Sequence, residues 1–164
     1  MQIKIINNGI KMRHGIYLLL IYFMLASCNA HNTDEKKSDV PLIGTWKLIS
    51  GTLIDKGDTV ITDYTKNISF IKIINQNHFA FLSHDLSNGK AADSTFSAGG
   101  GRYDLKDSSY TEHLEYCSDR QWEGNDFNFT IVIKNDTLIQ MGREKVANTG
   151  IDRLNIEKYS RMKN

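Results

Sequence analysis

Residues 41–164 predict an all-β domain, an antiparallel up-and-down barrel of about eight strands. Three observations support this prediction. Runs rich in β-branched and aromatic residues recur along the domain, turn residues separate them, and most connections are short. Local hairpins therefore dominate, and a closed sheet leaves no free edge, so a barrel is favoured over a two-sheet sandwich.

The predicted strands follow one another along the chain with turn residues between them. They are residues 43–54, 67–74, 77–85, 94–105, 108–117, 126–135, 137–143 and 151–162. Asn75 to Asn77 separates two apolar runs, and Asn88-Gly89 suits a tight turn. Residues 106–108 and 134–136 carry the polar composition of two further hairpins.

Three consecutive glycines, Gly99, Gly100 and Gly101, fall inside the fourth predicted strand. A phosphate-binding loop would need a following Lys-Ser/Thr and a helix, and neither pattern follows. Glycines inside a strand predict a bulge or a sharp bend at a barrel corner. They would also leave room for a ligand beside them.

The first 27 residues have the layout of a secretory signal. Basic residues come first, an apolar run follows at residues 15–24, and small residues come last. The apolar run is too short to cross a bilayer, which needs about 20 residues. Translation could start at Met1 or at Met12, because Met12 also precedes a basic region.

Leu25-Ala26-Ser27-Cys28 resembles the lipobox of bacterial lipoproteins, in which the signal is cut before an acylated cysteine. The resemblance implies a signal peptide at 1–27 and a bilayer anchor at Cys28. Residues 28–40 are polar and without periodicity, which predicts a flexible tether. Asn29, rather than Asp, follows the cysteine, which fits an outer-membrane lipoprotein of the cell envelope.

Charge and cysteine content narrow the functional classes further. The whole chain has a formal net charge of +1, and three positive charges fall in the leader. Because the domain carries no basic patch, nucleic-acid binding has no electrostatic support.

The sequence contains two cysteines, and acylation of Cys28 would leave Cys117 without a disulfide partner. Cys117 is then either a buried small apolar residue or a reactive thiol.

Gly44-Thr45-Trp46 at the start of the first strand resembles the first-strand signature of lipocalins and the wider calycin superfamily. The resemblance implies that Trp46 plugs one barrel end and that an arginine of the last strand, Arg161 or its rival Arg153, packs over it. The stretches 77–81, 99–103, 110–116 and 136–140 resemble small lipocalin-like lipoproteins of Bacteroidota with a domain of unknown function. Unlike full-length lipocalins, the chain has no room for a C-terminal helix.

A ligand site is expected inside the barrel, on the more apolar face of strand 108–117. Tyr110, Glu112, Leu114 and Tyr116 share that face and are expected to point inward. A buried carboxylate must be paired or protonated. Glu112 therefore either recognises the polar head group of an apolar ligand, together with Tyr110 and Tyr116, or forms an internal ion pair with an arginine.

Aromatic residues of the neighbouring strands complete the predicted ligand site. They are Phe79, Phe81 and Tyr103. Trp122 and Phe127 flank the loop residues 123–125, which follow strand 108–117. They form either a lid or a partner contact at the barrel mouth, or ordinary rim packing.

His113 and Glu115 share the other face of strand 108–117 and could supply two metal ligands. A zinc site needs three or four protein ligands, and nothing close in sequence completes the set, although His78 or His84 could complete it in space. An ordinary surface pair is favoured, and no metal is predicted. No cofactor is predicted either.

The sequence thus predicts a membrane-anchored protein that binds a small, mostly apolar ligand in the cell envelope. One alternative is a filled barrel that serves as an interaction module for an envelope protein partner. The other is a barrel enzyme using Glu112 or His113. Since no short catalytic motif occurs, binding is favoured over catalysis.

Overall fold

The computed structural model describes residues 42–90, 92 and 94–163. The predicted leader, Cys28 and the tether lie outside these residues. Within the described part of the chain, no helix is long and apolar enough to cross a membrane.

The described residues form nine β-strands and one short 3-10 helix. The strands are β1 (Gly44–Asp55), β2 (Asp58–Asp63), β3 (Ile68–Ile74), β4 (His78–Asp85), β5 (Phe96–Lys106), β6 (Ser109–Cys117), β7 (Asn125–Lys134), β8 (Thr137–Val146) and β9 (Ile151–Arg161), and the helix is Arg120–Trp122. All strand pairs are antiparallel, in the order β2-β1-β3-β4-β5-β6-β7-β8-β9, and β9 pairs back onto β1. The fold is therefore a closed eight-stranded barrel with one extra strand, which confirms the predicted class.

The extra strand is β2, which is absent from the predicted set. It pairs with the second half of β1, whereas β3 pairs with the first half of the same edge. Nearly all of β2 is exposed, including Val60 and Ile61. With little buried on either face, β2 lacks the contrast between faces on which a strand prediction depends.

The two ends of the barrel are built differently, and we call them the closed end and the open end. Tight turns at 75–77, 107–108 and 135–136 connect the strands at the closed end, whereas residues 86–95 and 118–124 make longer connections at the open end. Large buried side chains fill the closed end. These are Leu42, Trp46, Ile74, Tyr110, Leu138 and Tyr159.

Trp46 is the centre of the closed end and is completely buried. Its indole Nε1 donates to the Leu42 carbonyl oxygen at 2.8 Å, and the Arg161 guanidinium lies 4.1 Å from the ring centroid. The predicted packing of Arg161 over Trp46 is thereby confirmed. A Cβ on Gly44 would lie 2.5 Å from Arg161 Nη1, and Gly44 has a φ of 149°. The Gly-x-Trp pattern thus leaves space for the arginine that covers the tryptophan.

Both ends of the described chain lie at the closed end. Leu42 packs beneath Trp46, and the Met162 amide donates to the Thr45 carbonyl oxygen at 2.8 Å.

Candidate functional site

The open end contains a cavity of about 330 Å³. A buried apolar cavity of about 150 Å³ is large enough to bind benzene, so this one suits a molecule of roughly twice that size. Small residues, Gly51, Ser97 and Cys117, contribute to its lining. Their side chains leave the volume that large side chains fill at the closed end.

One part of the cavity surface is aromatic, and we call it the aromatic lining. It consists of Tyr64, Phe70, Phe81, Trp122, Phe127 and Phe129. The Phe70 and Phe81 rings stack with centroids 5.7 Å apart, and Tyr64 meets Phe70 edge-on at 6.0 Å. Trp122 lies 5.7 Å from Phe127. These faces give an apolar ligand a large contact area.

The facing strands β8 and β9 present polar side chains instead, which we call the polar wall. Its members are Gln140, Glu144, Arg153, Asn155 and Glu157. Near the mouth, Arg153 Nε donates to one oxygen of Glu144 at 2.8 Å, and Asn155 Nδ2 donates to the other at 2.7 Å. The Arg153 guanidinium also lies 5.4 Å from the Trp122 ring centroid. Arg153, the alternative to Arg161 as the arginine over Trp46, thus covers Trp122 instead.

A buried ion pair forms the floor of the cavity. Lys72 Nζ donates to Glu112 Oε1 at 2.7 Å and to Gln140 Oε1 at 3.1 Å. Burial by itself lowers the pKa of Lys72, but the Glu112 and Glu157 carboxylates outweigh it and the net shift is upward. Burial raises the pKa of Glu112, and Lys72 offsets only part of that rise. A lysine held in its charged form is a structural cation here rather than a nucleophile.

Glu157 is the carboxylate of the floor that shares its cation. Glu157 Oε2 lies 3.9 Å from Lys72 Nζ, whereas Glu112 lies at 2.7 Å, and it accepts a hydrogen bond from the Tyr159 hydroxyl at 2.8 Å. The pKa of Tyr64 in the aromatic lining is raised by burial and then by the negative charge of Glu157. The negative charge of Glu157 thus affects a residue of the aromatic lining as well as Lys72.

The predicted ligand-binding residues separate into three groups. Phe81 and Glu112 line the cavity. Phe79 and Tyr110 are buried in the core, and Tyr103 packs on Tyr110 at 5.2 Å while its hydroxyl donates to the Asn75 carbonyl oxygen at the closed end. The structure therefore places these three outside the cavity lining.

The inward orientation expected for Tyr116 is wrong. Tyr116 is 68% exposed, and Cys117 faces the cavity in its place. The reason is a register shift, in which Gly100 pairs with Tyr116 but Gly101 pairs with Leu114, leaving one extra residue on β6. A bulge reverses the alternation of faces beyond it.

The three glycines of β5 explain why the bulge forms there. A Cβ on Gly101 would collide with the His113 carbonyl oxygen, and one on Gly99 would lie 2.6 Å from the Phe81 ring. The bulge predicted from these glycines is confirmed, although the additional residue is on β6. Gly99 also allows Phe81 to turn toward the cavity.

Glu112 points inward as predicted, but its partner is Lys72 rather than an arginine. The Tyr110 hydroxyl is buried beside it and makes no hydrogen bond of ordinary geometry with a described residue. Burial, followed by the nearby Glu112 charge, raises the pKa of Tyr110.

Two more expectations concern residues at the mouth. Trp122 packs against Phe127 and beneath Arg153, so the rim-packing alternative describes its position. Cys117 lines the cavity and is partly buried, and burial raises the pKa of its thiol. It therefore lies in contact with the cavity.

His113 and Glu115 lie on the outer face of the barrel, away from the cavity. The two nitrogens of His113 meet Asp126 at 2.7 Å and Asp104 at 2.9 Å, while Glu115 accepts from Arg102 at 2.6 Å. Hydrogen bonds to Asp104 and then Asp126 raise the pKa of His113. Across the described ranges, no group of three or more histidine, cysteine or acidic residues could hold a metal ion.

The polar wall is the part of the site that sequence reasoning missed. In β9 the inward residues are Arg153, Asn155 and Glu157, while Leu154 and Ile156 face outward. A rule that places apolar residues inside selects the wrong face here. Tyr159 could have identified the inward face. It is a large residue that lies on the same side of the strand as Arg153, Asn155 and Glu157, because side chains two positions apart share a face.

Neither a scan against protein-family models nor a search of curated proteins finds a match for this chain.

Proposed function

We propose that this protein binds a small, mostly apolar molecule in the cavity at the open end of its barrel. The observation that carries the proposal is a cavity of about 330 Å³ with an aromatic lining and a charged floor. Apolar cavities with a few convergent polar groups are the usual form of small-molecule sites. The empty volume favours ligand binding over a filled barrel that serves only as an interaction module.

The leader adds a location to this proposal. A lipobox-like Leu-Ala-Ser-Cys ending at Cys28 supports acylation and retention at the cell envelope, as in lipocalin-like lipoproteins. In this proposal the domain captures its ligand while anchored to a bilayer.

The experiment compares ligand binding by two variants of adjacent residues. 1-Octanol is titrated calorimetrically into the purified full chain carrying Cys28→Ser, which cannot be acylated at that position. Native mass spectrometry of the same preparation detects any retained small molecule. We expect saturable binding, and at least a tenfold loss in Cys117→Phe, because the new ring enters the cavity.

Tyr116→Phe is the matched control, because it places the same ring one residue away on the outer face. It should bind as the parent protein does. The proposal is rejected if no apolar probe binds and no small molecule is retained, or if Cys117→Phe binds as well as Tyr116→Phe.

A further inference from the structure

The charges that line the cavity do not balance. The inward-facing side chains include three carboxylates, Glu112, Glu144 and Glu157, but two cations, Lys72 and Arg153. Lys72 pairs at 2.7 Å with Glu112, and Arg153 pairs at 2.8 Å with Glu144. Asp119, which is exposed at the rim, adds a further negative charge. Among the inward-facing side chains, without counting Asp119 at the rim, one carboxylate is therefore in excess.

Glu157 is that carboxylate. Its side chain is 15% exposed and lines the cavity, and its distance to Lys72 is 3.9 Å. The Tyr159 hydroxyl donates to Glu157 Oε2 and keeps the group in place. A carboxylate so held gains most from a second positive charge, because the Lys72 ammonium 3.9 Å away donates its hydrogen bonds to Glu112 and Gln140 instead.

The aromatic lining is also suited to bind a positively charged group. Tyr64 and Phe70 lie in edge-to-face contact beside the cavity, and Phe70 is 6.4 Å from the Tyr159 ring. Aromatic faces attract cations, most strongly in desolvated sites. An anionic ligand would instead meet three carboxylates, and both cations already have partners.

Building on the proposed function, we infer that the cavity selects a cationic amphiphile. Such a ligand is an amine whose ammonium group binds Glu157 and whose apolar body lies on the aromatic lining. This assignment names the chemical class of the ligand. In this assignment Glu157 is the residue that recognises the ligand's ammonium group.

The test uses three probes with the same eight-carbon tail and different head groups. n-Octylamine, 1-octanol and octanoate are titrated calorimetrically into the full chain carrying Cys28→Ser at pH 7. We expect octylamine to bind at least tenfold more tightly than octanol, about 1.4 kcal/mol, and octanoate to bind most weakly. Glu157→Gln should remove the advantage of octylamine and leave octanol unchanged.

Glu115→Gln is the control, because Glu115 is on the outer face and pairs with Arg102. It should leave all three affinities unchanged. Octanol binding equal to or tighter than octylamine overturns the inference while leaving the proposed function intact. If none of the probes binds and native mass spectrometry finds no retained small molecule, the proposed function fails as well. Should Glu157→Gln fail to fold, as judged by circular dichroism, the head-group series on the parent protein still decides.

Discussion

The closed and open ends of the barrel share the same strands but differ in the residues that point inward. At the closed end Trp46, Tyr110 and Tyr159 are fully buried and leave no space. At the open end the same inward face carries Gly51 and Cys117, and a cavity remains. The same strands run through both ends, although β1 exchanges β3 for β2 as its partner toward the open end. The smaller inward side chains at the open end leave the volume of the cavity.

This contrast indicates a division of labour between stability and binding. Burial of large apolar side chains is the dominant stabilising term in a domain of this size. A cavity reduces this stabilisation, because the atoms that line it lack packing partners on one side. The closed end should therefore carry most of the free energy of unfolding, and the open end should tolerate change. Three predictions test that expectation.

The largest effect is expected at the plug. Trp46→Ala should lower the free energy of unfolding by about 4 kcal/mol, because it empties the most buried site of the closed end. Trp122→Ala at the mouth should cost less than half as much, since Trp122 is only partly buried and contacts Phe127 and Arg153. Urea unfolding followed by far-ultraviolet circular dichroism measures both. Equal losses would break the comparison between the two ends.

The next effect is expected at the floor, where the two ends meet. Lys72→Met should cost about 3 kcal/mol, because it leaves Glu112 buried without its cation. The loss should shrink as the pH falls toward 5. Without the lysine, the raised pKa of Glu112 lets the carboxyl take up a proton and lose its charge.

Adding Glu112→Gln to Lys72→Met provides the control for this prediction. The double variant contains no unpaired floor charge from this pair, so it should recover a large part of the lost stability. Additive losses in the double-mutant cycle would show that the two side chains do not interact energetically.

The smallest effect is expected on the outer face, which serves as the baseline for both ends. His113→Gln removes an imidazolium that lies between Asp104 and Asp126, and should cost less than about 1 kcal/mol. The folded-state pKa of His113 is raised, so its contribution is complete below the ordinary value of 6.5 and disappears as the pH rises through the folded-state pKa. Unfolding curves at pH 5.5 and pH 9 measure the difference. A cost that is the same at both pH values would exclude the ion pairs as its cause.

The barrel could be predicted from the sequence because its strands alternate clearly at the closed end. Turn residues such as Asn75 and Asn135 also mark the hairpins there. β2 could not be predicted, since it buries little on either face. The orientation of Tyr116 depends on which strand carries the extra residue of the bulge. The glycine run predicts a bulge at Gly100 and Gly101, but the placement of the extra residue on β6 follows from close packing between the two strands.

The cavity was predicted only in outline. Phe81 and Glu112 fall on it because each belongs to an alternating pattern that continues into the closed end. Lys72 and Glu157 break that pattern, as they are polar residues at inward positions. Lys72 is stabilised by Glu112, which lies 40 positions away in the sequence on another strand. Such pairing cannot be predicted from a single strand.

The places where the barrel begins and ends have a practical consequence. Leu42 and Met162 both meet the barrel beside Trp46, opposite the mouth. A surface, a fluorescent protein or a force probe attached next to residue 42 or residue 162 would therefore lie opposite the path of an incoming molecule. Pulling between these two residues would load β1 and β9 first, the neighbouring strands whose pairing closes the cylinder.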